Sequence, residues 1–346
     1  MTTIRDVARL AGVSPTTVSH VLSNRRPVAE ETRLRVLEAI EKTEYVPNVI
    51  AQGLVSQRTN VIGVCFPLPE LTETNPSLIT LLMSGSSRLR EFGYQLLFIT
   101  TPHEDEKGFR QIINSGMLDG VVLLEVLLED PRVEFLKQHG KVPFILIGRC
   151  RDNEGINFVD IDSAQGVYDA TIHLIEMGHE RIVFVGGYPD GFSHSAFAQD
   201  GYKQALKDRG LPFDPLLIRQ TPQREESAIA MLDDLLDSGV DFTSIICLSE
   251  FVCLTLLKEL RKRDVKIPEE VSLISFGNSA SCSMAVPALT AISLHFKRMT
   301  QSAIDIMINR LSTGPAEPTQ ILLSPAINVR ASTGPVSTKP RLTGSG

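Results

Sequence analysis

TIRDVARLAGVSPTTVSHVL, residues 3–22, reads as two short helices joined by a tight turn. Thr3 caps the first helix and Asp6 falls three residues later, the Ser/Thr-x-x-acid spacing that satisfies two orphan N–H groups reciprocally. Ile4, Val7, Ala8 and Ala11 make one apolar face. Gly12 stands where a helix commonly ends in a left-handed residue, and Ser14-Pro15 restarts helix at once, Ser as N-cap and Pro at the first helical position. Val18, Val21 and Leu22 turn inward. Pro15, Thr16, Thr17, Ser19 and His20 are left outward, where hydroxyl and imidazole groups can read base edges in a major groove. Taken alone, the pattern fits an ordinary surface helix pair as well as a DNA reader.

The chain has 346 residues, room for a small N-terminal module and a body of one large or two medium domains. No apolar run reaches membrane-spanning length, and MTTIRDVARLAG lacks the basic-then-apolar layout of a signal peptide, so a cytoplasmic protein without a membrane role is expected. The cysteines, Cys65, Cys150, Cys247, Cys253 and Cys282, are odd in number and irregularly spaced, which favours buried free thiols over disulfides or a zinc site. The net charge of −7 is uneven: residues 1–60 hold eight Lys/Arg against six acids, so the rest carries the acidity. A basic head on an acidic body fits phosphate contacts confined to the head. No nucleophile elbow, HExxH, phosphate-cradling loop or close Cys/His cluster is present, so no enzyme, cofactor or metal is expected.

Beyond the helix pair, Asn24 to Ala29 is a polar loop with Arg25 and Arg26, and a third helix is predicted over 30–44 with Leu34, Leu37 and Ile40 on one face. Asn48 can cap a further short helix, Val49 to Val55, which Gly53 weakens by about 1 kcal/mol. From Val61 short apolar runs alternate with helix-length segments: VIGVCF (61–66), YQLLFI (94–99), DGVVLL (119–124) and PFILIG (143–148). A second series comprises RIVFVGG (181–187), SIICLS (244–249), VSLISFG (271–277), LTAISL, ILL and AINVRAS. Such runs are buried parallel strands, and two sets imply two α/β lobes with a cleft between them.

TIRDVARLAGVSPTTVSHVL, VAEETRLRVLEAIEKTEYVPNVIAQGL, HLIEMGHERIVFVGG, IPEEVSLISFGN and PALTAISL, in this order, resemble the LacI/GalR family of transcriptional repressors from Thr3 to about Ser332. The resemblance implies an all-α helix-turn-helix headpiece on an α/β body of two doubly wound parallel-sheet lobes, of periplasmic-binding-protein type I architecture. The boundaries it suggests are a headpiece at 1–46, a hinge helix and linker at 47–60, and an effector-binding and dimerisation body at 61–332. The first lobe would take about 61–161 and 292–322, the second about 162–291 and 323–332. Residues 333–346, rich in Pro, Ser, Thr and Gly, are expected to have no fixed fold.

The headpiece is most similar to the purine repressor type, sharing TTVSHV (16–21) and VAEETR (28–33). By that resemblance Thr16, Thr17 and His20 touch bases or nearby backbone, while Thr3, Ser14 and Asn24 fix phosphates; phosphate contacts position and base contacts specify. Pro15 replaces a base-reading side chain and offers only an apolar contact. Leu54 stands where relatives wedge a leucine into the minor groove, with Gln52 and Gly53 in place of the usual Arg and Ser or Ala.

Effector-site hallmarks of the family are altered. Ala198 replaces an Arg, Ser249-Glu250 an Asn-Asp pair, Gly277 an acid, Leu294 a Gln and Gln223 an aromatic. Such a cleft lacks the bidentate groups that hold a sugar. The candidates left are Asn75, Pro76, Leu78 and Arg149 from the first lobe, and Phe192, His194, Glu250, Phe251 and Asn278 from the second. Arg149 fits either a ligand carboxylate or an ion pair with Asp160 or Asp162, and His194 reads as a lone loop histidine. The expected function is a homodimeric repressor on a palindromic double-stranded operator, governed by a small-molecule effector. The alternatives are a small-molecule binder without a DNA role, or a repressor controlled by a protein partner.

Overall fold

A computed structural model describes residues 2–23, 27–45, 58–67, 76–140, 142–186, 191–336. The chain divides into two units, 1–59 and 60–346.

In the first unit, α1 (Ile4–Ala11), α2 (Pro15–Ser23) and α3 (Glu30–Thr43) enclose a small core. The Asp6 carboxylate accepts hydrogen bonds from Thr3 N at 3.0 Å and Thr3 Oγ1 at 2.7 Å, closing the start of α1. Gly12 then takes φ +66°, the left-handed turn the sequence calls for. Val7, Ala8, Ala11, Val18, Val36 and Ala39 are buried together. The register predicted for α3 is corrected here: Leu34 and Leu37 are 54% and 45% exposed, and the inward face runs through Val36, Ala39 and Ile40. The predicted hinge helix, with Leu54, Gln52 and Gly53, lies outside the described residues, as does Asn24.

The second unit holds two six-stranded sheets. The first comprises β1 (Val61–Cys65), β2 (Gln95–Ile99), β3 (Gly120–Leu123), β4 (Phe144–Ile147), β5 (Phe158–Ile161) and β11 (Gln320–Leu323), in the order β11-β5-β4-β3-β1-β2. The second comprises β6 (Ile182–Gly186), β7 (Ile218–Gln220), β8 (Ser244–Cys247), β9 (Ser272–Phe276), β10 (Thr290–Ser293) and β12 (Ala326–Asn328), in the order β12-β10-β9-β8-β6-β7. Every pairing is parallel except β10 with β12. Strands buried on both faces explain why most of these segments are continuous apolar runs rather than alternating ones.

Helices cover the sheets. In the first lobe these are α4 (Pro76–Glu91), α5 (Glu106–Asn114), α6 (Pro131–His139) and α12 (Phe296–Thr313); in the second, α7 (Ser163–Glu176), α8 (Ser193–Asp208), α9 (Glu225–Asp237), α10 (Glu250–Lys262) and α11 (Ala280–Met284). Gly201 marks the tightest approach of α7 and α8: a Cβ there would come within 2.0 Å of the Ala164 carbonyl oxygen, so only glycine fits.

The chain passes between lobes three times, at 161–163, 293–296 and 323–326. Two crossings fall slightly beyond the expected boundaries, because Ile292 and Ser293 pair with Ile327 and Ala326 in the second sheet and Leu323 pairs with Ile161 in the first. The expectation of an unstructured segment from 333 is corrected for its first four residues. Thr333 is buried, Gly334 N donates to Ser272 Oγ at 3.2 Å, and Val336 N donates to Met177 O at 2.9 Å. Backbone hydrogen bonds, to which polar composition is indifferent, hold this stretch. All five cysteines are free and buried. Among the described residues no helix is long and apolar enough to cross a membrane.

Candidate functional site

In the headpiece, α2 presents the predicted reading residues. Ser14 Oγ accepts a hydrogen bond from Thr17 N at 3.1 Å and shares another with Thr17 Oγ1 at 2.9 Å, so both hydroxyls secure the helix start. Pro15 and Thr16 are exposed beside them, and Thr17 and His20 are half-buried. Thr3, also exposed, is engaged by Asp6, whose carboxyl is held below its usual range by the Thr3 hydroxyl and N–H. Arg5 and Arg9 are exposed on α1, Arg9 lying 3.5 Å from Asp6.

A cavity of about 170 Å³ opens between the lobes, where the C-terminal ends of the parallel strands converge. Phe66, Glu125 and Gly148, just past strands of the first sheet, and Asp160, near the end of another, line it. His194, Ser249-Glu250-Phe251 and Phe276-Gly277 enter from the second lobe; Leu294 and Phe296 come from a crossing segment.

A backbone bridge ties the lobes beside this cavity. Leu128 N donates to Gly191 O at 2.9 Å, and Ser193 N donates to Val126 O at 3.0 Å. The first-lobe side is braced by Arg132, only 4% exposed, which donates to the carbonyls of Leu124 and Glu125 at 3.1 Å each and forks onto the Asp130 carboxylate at 3.0 and 2.7 Å. Burial pushes the Asp130 carboxyl up, but the hydrogen bonds and charge of Arg132 outweigh it and hold the group below its usual range. Glu125 is pinned in a left-handed conformation, φ +48°, a strain of order 1 kcal/mol that the Arg132 and His103 contacts to its carbonyl sustain. Burial, reinforced by Arg132, lowers His103 to about 4.

Asp160, 6% exposed, is the last residue but one of β5. Burial pushes its carboxyl up to about 6 against the opposing pull of Arg149, whose Nε lies 3.6 Å from Oδ2. Glu250 starts α10 and accepts from Ser279 N at 2.9 Å and from the Ser279 hydroxyl. Gly277 takes φ +122°, and a Cβ there would stand 3.2 Å from Glu250, so a side chain such as relatives carry would be strained and would require Glu250 to shift.

Leu78, His194, Glu250 and Phe251 of the predicted set line the cavity, as do the altered positions Gln223, Ser249, Gly277 and Leu294. His194 differs from its reading as a loop residue: it lies in the first turn of α8, its Nδ1 3.8 Å from Glu125. Arg149 does not line the cavity; it stands against Asp160 and over Phe197. Phe192 is buried behind the wall against His103, ring centroids 5.6 Å apart. Asn278 lines a neighbouring groove instead, donating to Ser293 Oγ at 2.8 Å and accepting from Arg330. Ala198 is fully buried and lines no part of the cavity. Pro76 opens α4, and Asn75 lies outside the described residues. Phe66 and Glu125 were missed by sequence reasoning, and Asp160 was read only as an ion-pair partner; their common signal is a position at or just past the end of a strand.

A helix-turn-helix unit followed by two parallel-sheet lobes around a cavity defines a ligand-binding transcription factor. Residues 3–48 match bacterial regulatory proteins of the lacI family, and residues 171–333 match a periplasmic binding protein-like domain. The HTH-type transcriptional regulator DegA of Bacillus subtilis (strain 168) is 30% identical over 97% of this chain and 99% of its own length. The transcriptional regulator CelR in complex with cellobiose is 27% identical with a TM-score of 0.73, over 96% of this chain and 100% of that one. The lac repressor dimer bound to operator and the anti-inducer ONPF shares the fold at a TM-score of 0.84 and 22% identity, over 96% and 99%. The chain belongs to the LacI family of transcriptional regulators.

Proposed function

We propose that the protein is a repressor that binds a palindromic operator as a homodimer in the cytoplasm and is controlled by a small molecule in the inter-lobe cavity. The observation that carries this reading is α2, a capped helix that opens with exposed Pro15 and Thr16 after a left-handed Gly12 turn. Thr16, Thr17 and His20 serve as base readers, with Pro15 supplying an apolar contact such as to a thymine methyl. Thr3, Ser14 and Asn24 serve the phosphates, and Leu54 acts as the minor-groove wedge. The division into a headpiece at 1–46 and a hinge at 47–60 belongs to the same proposal. A closed two-fold dimer matches a palindrome because each half-site meets an identical reading helix. Selection from randomised palindromic duplexes, followed by gel retardation, tests it. A retained sequence bound by two subunits per duplex is expected, and failure to retain any sequence would overturn it.

A further inference from the structure

We infer that the cavity takes a small uncharged ligand, mainly apolar and about one ring in size, which presents a hydroxyl or carbonyl oxygen to the Ser193 hydroxyl. This rests on the reading of the cavity as the effector site.

Each charge at the cavity is answered within the protein. Glu250 accepts from the Ser279 amide and hydroxyl. Asp160 Oδ1 accepts from Ile161 N at 2.8 Å, with Arg149 3.6 Å from Oδ2, and Glu125 faces the His194 imidazole at 3.8 Å. Helices α4, α7, α8, α10 and α12 begin at the cavity, where Ser77, Ser163, Ser193, Glu250 and Phe296 line it. Each helix start contributes about half a positive charge, and together with Arg149 they balance the three carboxylates. A charged ligand would give up its hydration without meeting an unanswered counter-charge, a cost that a neutral one does not bear.

The polar group left open is itself neutral. Ser193 is 2% exposed and lines the cavity; its N–H is spent on Val126 O, but its hydroxyl makes no hydrogen bond among the described residues. A buried hydroxyl without a partner costs stability until one arrives, and a ligand oxygen supplies it. Ser193 is also the first residue of α8, whose N-cap Phe192 brings no side-chain acceptor. The helix dipole there favours an oxygen over an N–H donor. The Gln223 amide, half-buried at the cavity, makes no hydrogen bond among the described residues and stands as a second neutral partner.

The remaining wall is apolar, with Phe66, Leu124, Leu248, Phe251, Phe276 and Phe296. At about 170 Å³ the space is close to that of a cavity that takes up benzene, which suits a single ring.

Isothermal titration of the full-length protein with 2-phenylethanol, 2-phenylethylamine, 3-phenylpropionate, ethylbenzene and cellobiose tests the inference. The alcohol is expected to bind about tenfold or more tightly than the amine, the carboxylate or cellobiose, because only it enters without losing the hydration of a charge or of many hydroxyls. Ser193→Ala should weaken the alcohol about fivefold and leave ethylbenzene, which lacks the oxygen, unchanged. Tighter or equal binding of the amine, the carboxylate or cellobiose, or no heat from any probe, would overturn the neutral class. Alcohol binding unchanged in Ser193→Ala would overturn the oxygen contact. If an ionic probe binds best and is lost in the cavity-filling Leu124→Trp or Leu294→Trp, the effector cavity stands while the neutral class falls. Alcohol binding unchanged in both filling variants would remove the cavity itself as the site. Operator retardation without ligand tests DNA binding separately.

Discussion

The Arg149 guanidinium, which leaves the first lobe just after β4, stands 4.2 Å above the centroid of Phe197 on α8 of the second. The same guanidinium lies 3.6 Å from Asp160, so one side chain joins a charge in one lobe to a ring in the other. Any opening of the lobes must break the stacking contact. Replacing Arg149 with Met keeps part of the packing but leaves Asp160 buried without its cation. The expected loss is about 2 kcal/mol, below the usual cost of breaking a buried pair because Asp160 can take up a proton instead. Urea unfolding at pH 7.5 reads it, and an unchanged midpoint would remove Arg149 as an inter-lobe tie.

Asp130 and Arg132 are 0% and 4% exposed at their side chains, and they brace the loop that bridges the lobes. Asp130→Ala leaves a buried guanidinium uncompensated and should cost about 3–5 kcal/mol. The double change Asp130→Asn with Arg132→Met should recover part of that loss, since no buried charge remains. A double variant as unstable as Asp130→Ala would show that the geometry, rather than the unpaired charge, sets the cost.

Asp160 and His103 respond to pH with opposite sign. Burial pushes Asp160 up to about 6 in the folded chain from an ordinary 3.8, so its contribution is greatest below 3.8 and falls as pH rises through 6. His103 titrates at about 4 against 6.5, so its contribution is complete above 6.5 and falls as pH drops through 4. Each shift corresponds to up to about 3 kcal/mol. In unfolding curves between pH 4 and 6.5, Asp160→Asn should gain stability relative to the parent as pH rises, and His103→Gln as pH falls. Parallel profiles for all three proteins would contradict both assignments.

Ser14→Ala removes the oxygen that accepts the Thr17 amide, a loss of about 1 kcal/mol for α2. Hydrogen exchange at Thr17 N–H should quicken about fivefold, while amides in the body remain unchanged. Exchange unchanged at Thr17 would mean the cap contributes nothing in solution.

His20→Ala should raise the operator dissociation constant about tenfold or more at fixed salt, with little change in the salt slope, as loss of a base contact requires. Leu54→Ala should weaken binding and also reduce the DNA bend seen by circular permutation of the site. Full affinity in both variants would dismiss the roles proposed for them.

Much of this architecture is legible in the sequence because buried parallel strands are written as uninterrupted apolar runs. VIGVCF and SIICLS show this directly. FVDI, 158–161, escaped that reading because Asp160 interrupts it, and the interruption marks the wall of the cavity. Strand β7 is short and lies at a sheet edge, so IRQ carries no periodic signal. Leu34 and Leu37 misled because a hydrophobic count favours large residues where the headpiece buries Val36 and Ala39. Glu125 could not be assigned from its neighbours, since its place depends on a left-handed turn braced by Arg132, seven residues further on.

The tie between Val336 and Met177, together with Ser332 Oγ accepting from Thr290 N at 2.8 Å and donating to Leu273 O at 2.7 Å, bears on how the protein is made. Neither lobe is contiguous in the chain, and the second is sealed by residues that follow every other strand and helix of the body. On the ribosome, the headpiece can complete its short-range contacts early, while the body is completed only once residues 326–336 have emerged. A nascent chain truncated before 326 therefore carries a finished DNA-reading module on a body missing its last crossing, unable to register a ligand.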